Sequence, residues 1–121
     1  MCMKFIINKK DIIGYNQEFD SGVLINEHSL DFAIAYARRT ENWLRALAFL
    51  TRAILIDHVF EDGNKRTAGI LIKSYAEFEG FDVYDGKLAL LIKKILKNNI
   101  TDIPELEEEI KNVIKSNNEI C

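Results

Sequence analysis

The chain has 121 residues, 48% apolar and 29% charged, with 16 basic and 19 acidic side chains and a net charge of −3. That size predicts one domain over residues 1–121 with a core of its own, and the balance of charge excludes a dedicated nucleic-acid binder, which would carry a basic surplus. No apolar run approaches the roughly 18 residues a membrane span needs, so no membrane partner is expected. Cys2 and Cys121 form neither a disulfide framework nor a metal-ligand spacing, and a reducing cytoplasm is the expected compartment. Met1 to Lys10 lacks the long apolar core and small-residue cleavage site of a signal peptide.

Met1 to Ile7 reads as a short strand or docked tail. Asn8 is a predicted N-cap, with Asp11 in the capping-box place and Ile7 and Ile12 as the staple across it. The first helix is predicted from Lys9 to Asn16, leaning on Ile12, Ile13 and Tyr15. From Phe19 to Asn26 the helical period breaks. Asp20-Ser21-Gly22 is a turn signal and Val23-Leu24-Ile25 is β-prone. A short exposed strand there could take up an extended peptide by strand addition; a plain connecting loop fits the same residues.

Ser29 is predicted to cap the second helix, with Phe32, Ala33, Ala35 and Tyr36 on its stripe. It should end near Arg38-Arg39-Thr40, where cations suit the helix dipole. Thr40 or Asn42 starts a third helix, predicted to run to Val59. Its apolar side is broad (Trp43, Leu44, Leu47, Ala48, Leu50, Ile54, Leu55), which marks a central helix. A fourth opens at Gly63 or Asn64 and should stop at Gly80, a suitable C′ residue. Phe81 to Tyr84 is extended. Asp85 or Gly86 starts a fifth helix through Leu88, Leu91, Ile92, Ile95 and Leu96 to Asn98-Asn99. Asp102-Ile103-Pro104-Glu105 signals the last, predicted to reach Lys115, with Leu106, Ile110, Val113 and Ile114 on one side and Glu105 and Glu107 to Glu109 solvated. The expected fold class is all-α: a compact bundle of about six helices with a short β flap.

The chemistry concentrates between the third and fourth helices, in His58-Val59-Phe60-Glu61-Asp62-Gly63-Asn64-Lys65-Arg66-Thr67-Ala68. A helix start has unpartnered N–H groups and a partial positive charge, and so attracts anions. Gly63 allows close backbone approach. Asn64 is an N-cap type that can also reach a phosphate oxygen. Lys65 supplies a point charge and Arg66 a planar fork for phosphate. Asp62 offers the hard oxygen Mg²⁺ prefers, with Glu61 as a rival. His58 can exchange a proton near neutral pH. A base, a metal carboxylate and an anion cradle are the parts of phosphoryl or nucleotidyl transfer. The plainer reading is a polar connection between helices, with His58 a core histidine and Lys65 and Arg66 solvated.

These residues resemble the signature of the Fic/Doc family, HxFx(D/E)GNxRxx(R): His58, Phe60, Asp62, Gly63, Asn64 and Arg66 fall in register. Asn64 to Ala68, reading NKRTA, is closer to the Doc (death-on-curing) branch. Fic members usually carry Gly where Lys65 stands and a second Arg where Gly69 stands. The likeness extends more weakly from about Ile7 to Ile95. It implies a Fic/Doc-like fold and transfer of a phosphate-containing group from ATP, with Mg²⁺, to a protein hydroxyl. His58 would be the general base, Phe60 the loop anchor and Asp62 the Mg²⁺ ligand. Gly63, Asn64, Lys65, Arg66 and Thr67 would hold nucleotide phosphates, and Gly22, Val23, Leu24, Ile25 and Asn26 would form a flap that positions the target. The Doc branch moves the γ-phosphoryl group onto a translation elongation factor, whereas most Fic members move AMP. Lys65 and Gly69 lean toward the kinase; AMP transfer and a catalytically inactive nucleotide- or partner-binding module are the alternatives. The Fic-type autoinhibitory motif is not intact, since Leu106 follows Thr101 to Glu105, so a separate antitoxin is the expected restraint.

Overall fold

A helix buried on nearly every side organises the molecule. In the computed structural model, which describes Phe5 and residues 7–116, α3 (Trp43–Leu55) buries eight of its thirteen residues, from Ala46 and Leu47 to Ile54 and Leu55. Around it pack α2 (Glu27–Arg39), α4 (Asn64–Phe78), α5 (Asp85–Asn98) and α6 (Ile103–Lys111), and α1 (Lys9–Gln17) lies on α4 and α2. The result is the expected all-α bundle, with six helices among the described residues. None of them is long and apolar enough to cross a membrane. The strand or tail expected over Met1 to Ile7 lies outside the described residues except at Phe5 and Ile7; Cys2 and Cys121 lie outside them too.

Several helix ends follow their local chemistry. Asn8 and Asp11 form the reciprocal capping box at α1: the Asn8 side chain accepts the Asp11 N–H at 2.8 Å, and the Asp11 carboxylate accepts the Asn8 N–H at 3.1 Å. Ile7 and Ile12 are both buried beside it. Asn42 caps α3 by accepting the Arg45 N–H at 3.1 Å. Asp102 caps α6 by accepting the Glu105 N–H at 3.0 Å, with Pro104 in the first turn.

Three expectations are corrected. Helix α2 starts at Glu27, two residues before Ser29; its N-cap, Asn26, makes no side-chain cap and donates its amide to the Asp57 carbonyl at 2.8 Å instead. Helix α3 stops at Leu55, not Val59. The Ile56 and Asp57 N–H groups both converge on the Arg52 carbonyl, at 2.8 and 3.3 Å, which closes the last turn. The Val59 carbonyl is then free of the helix to accept N–H groups from Ile25 (2.8 Å) and Asn26 (3.2 Å). Helix α6 ends at Lys111, short of Lys115. Beyond it, β2 (Ile114–Ser116) pairs antiparallel with β1 (Phe81–Val83), with Val83 opposite Ile114 and Phe81 opposite Ser116. The open backbone of Phe81 to Val83 needs partners, and β2 supplies them. The expected short β flap takes the form of a single antiparallel bridge, Leu24 to Phe60.

Candidate functional site

His58 leaves α3 with φ 51°. Few residues other than glycine adopt that left-handed region, although histidine is among those enriched there. The next two residues explain it: Val59 and Phe60 are both fully buried, so the chain must turn sharply inward after Asp57. His58 itself remains exposed, which disposes of the core-histidine reading. Phe60 holds the loop in the core, and full burial of such a ring is worth about 1.5–3 kcal/mol.

Asn64 closes the loop from the other side. Its Oδ1 accepts the Phe60 N–H and its Nδ2 donates to the Phe60 carbonyl, both at 3.0 Å. These two bonds form a clamp, and through it Asn64 fixes the shape of the helix mouth. The N-cap place falls to Gly63, at φ 77°. A Cβ on Gly63 would run into Asp20 Oδ2 and come within 2.9 Å of Asn16 Nδ2, so only glycine fits.

Asp62 is exposed; its Oδ1 accepts the Gly63 N–H at 2.9 Å, which turns the carboxylate toward the start of α4. Thr67 is a correction. It is fully buried, donates its hydroxyl to the Gly63 carbonyl at 2.8 Å and receives Asn16 Nδ2 at 3.1 Å. Its side chain therefore stitches the first turn of α4 and is not placed to hold phosphate.

A cleft of about 590 Å³ opens at this helix mouth, lined by His58, Glu61, Asp62, Gly63, Asn64, Lys65 and Arg66, with Leu55 and Leu96 as apolar wall. Phe19 and Asp20 complete the lining. The Arg66 guanidinium lies 5.0 Å from the centre of the Phe19 ring. The lining thus carries three carboxylates (Asp20, Glu61, Asp62) against two fixed cations (Lys65, Arg66). That balance opposes a bare polyphosphate and favours one that arrives with a divalent cation. Among the described residues no group of three or more His, Cys, Asp and Glu could hold a metal unaided. One protein carboxylate plus phosphate oxygens is how Mg²⁺ commonly binds beside a nucleotide, and Asp62 fits that role.

The flap runs along the same loop. The Ile25 N–H bonds to the Val59 carbonyl at 2.8 Å, and the Glu61 N–H to the Val23 carbonyl at 2.9 Å. These two bonds bracket the Leu24–Phe60 pair, so the N–H and C=O of Leu24 point away from the loop. Val23 and Ile25 face outward, 44% and 61% exposed.

Sequence reasoning missed Asn16, Phe19 and Asp20. They sit in the last turn of α1 and the turn that follows it, where no spacing signals a site; only the fold brings them to a loop more than forty residues away. Comparison with protein-family models, with curated proteins and with solved structures finds no match.

Proposed function

We propose that the chain is a Fic/Doc-like transferase of the Doc type, which moves the γ-phosphoryl group of Mg-ATP to a Ser or Thr hydroxyl of a target protein. One observation carries the reading: an exposed imidazole, a carboxylate and the cationic start of α4 line a single cleft. The signature residues agree with it, and so does Gly69, which supplies no second arginine.

In this reading the target oxygen attacks the γ-phosphorus, and His58 takes the proton as the new O–P bond forms. The bond to the leaving oxygen breaks, and ADP departs as its charge is met by Lys65, Arg66 and the N–H groups of α4. Asp62 would hold the Mg²⁺, which would offset the charge of the phosphates. Gly63 keeps the helix mouth open, and the Asn64 clamp fixes its shape. The outward edge of Leu24 takes an extended stretch of the target by strand addition. A translation factor as target and a separate antitoxin as restraint follow from the resemblance. Glu105, in the first turn of α6, is not part of the cleft lining, which supports an external restraint over an internal one.

The test is incubation of the purified chain with Mg²⁺, a cell lysate and ATP labelled at the γ or the α phosphate. Transfer of γ label alone is the expected result. Transfer of α label would replace the kinase with an AMP transferase. Absence of both, together with no binding of Mg-ATP to the chain, would overturn the transferase.

A further inference from the structure

Asn16 is 1% exposed, at the end of α1, and every hydrogen-bonding atom of its amide is engaged outside its own helix. Nδ2 donates to the Asp62 carbonyl at 2.8 Å and to Thr67 Oγ1 at 3.1 Å. Oδ1 accepts the Gly22 N–H at 2.8 Å. The orientation of the amide is fixed by these partners, since a flip would set N–H against N–H and oxygen against oxygen. Thr67 passes its own proton on to the Gly63 carbonyl at 2.8 Å, so the chain of bonds reaches the N-cap of α4.

One side chain therefore ties three parts of the cleft: the glycine that opens the flap, the acidic loop and the first turn of α4. The two donor bonds act on the Asp62–Gly63 peptide and the helix mouth. The acceptor bond acts on the flap. The core gains little from an amide here, and a buried amide without partners is costly; its use lies in the register it imposes. We infer that Asn16 is a positioning residue: its donors aim Asp62 and the α4 mouth at Mg-ATP, and its acceptor seats the flap for the target. The inference rests on the transferase reading above.

Two substitutions separate the two halves. Asn16→Asp keeps an acceptor for Gly22 and removes both donors. Asn16→Ala removes all three bonds. Loss of a group that orients a metal ligand commonly costs about 10- to 100-fold in affinity or activity. Both variants should bind Mg-ATP about 10- to 100-fold more weakly by titration calorimetry. Hydrogen exchange at the Gly22 amide should stay slow in Asn16→Asp and become fast in Asn16→Ala. Loss of stability alone would not split the two readouts in this way. The inference is overturned if the wild-type Gly22 amide exchanges as in an open chain, if both variants unfold, or if folded variants bind Mg-ATP like wild type. A wild-type chain that binds no Mg-ATP removes the transferase and this inference together; wild-type binding with unaffected variants removes Asn16 alone.

Discussion

A histidine held at φ 51° stores strain of about 1–3 kcal/mol, and such strain persists only where neighbours over-determine it. Here the closed last turn of α3 lies on one side and the buried Val59-Phe60 pair on the other. The strain comes from the backbone, not from contacts of the exposed ring. Replacing the ring should therefore leave the fold alone: surface changes of this kind stay within about ±0.5 kcal/mol. Loss of a positioned base typically lowers rate by about 10²- to 10⁴-fold. His58→Ala should show that drop in label transfer with an unchanged melting curve. A variant that melts much earlier would mean the imidazole braces the loop. At this scale His58, Asp62, Gly63, Lys65 and Arg66 were legible because they lie within one short helix–turn–helix connection, and their types suit phosphate. Asn16 and Asp20 were not, because their partners are distant in sequence and an Asn or Asp before a turn is ordinarily read as turn chemistry.

An edge with one partner is an interaction surface by construction, because its outward N–H and C=O groups have nowhere else to go but water. The flap has that form, and its outward side chains are apolar and more than two-fifths exposed. A charge at Ile25 would meet any strand laid along this edge yet lies outside the cleft lining. Ile25→Asp should therefore reduce label transfer to the lysate target while leaving Mg-ATP affinity and stability unchanged. Equal transfer by the variant would move target docking off the flap. Elements differed in how far their own residues announced them. The starts of α1, α3 and α6 could be read from Asn8, Asn42 and Asp102, since a cap is a local hydrogen bond. The end of α3 could not, because Ile54 and His58 keep a helical spacing while long-range pairing of the loop with Leu24 ends the helix. The same holds for β2: Val113 and Ile114 suit the stripe of α6, and only the unpaired backbone of β1 draws the chain into a strand.

Across the whole molecule, α4 links the cleft to the far side of the core. Its first turn forms the helix mouth, and its last turns bury Tyr75, whose ring meets Phe5 edge-on at 4.6 Å between centroids. Burial pushes the Tyr75 phenol up from 10.0 to about 12, and the charges of Glu79 and Tyr15 push the same way. The folded state thus holds this proton more tightly than the unfolded chain does. The stability that proton contributes is fully present below pH 10.0 and is lost as pH rises through about 12. Each tenfold gain in proton affinity is worth about 1.4 kcal/mol, so the loss attributable to this residue is at most ~3 kcal/mol. Tyr75→Phe keeps the ring and its packing but has no proton to give up. Urea unfolding of both proteins, measured from neutral pH into the alkaline range, should show wild type losing stability faster than Tyr75→Phe once the phenol of the unfolded chain begins to ionise. Parallel curves would mean that water reaches the Tyr75 hydroxyl in the folded state, and that α4 is less firmly seated at its far end than at the cleft.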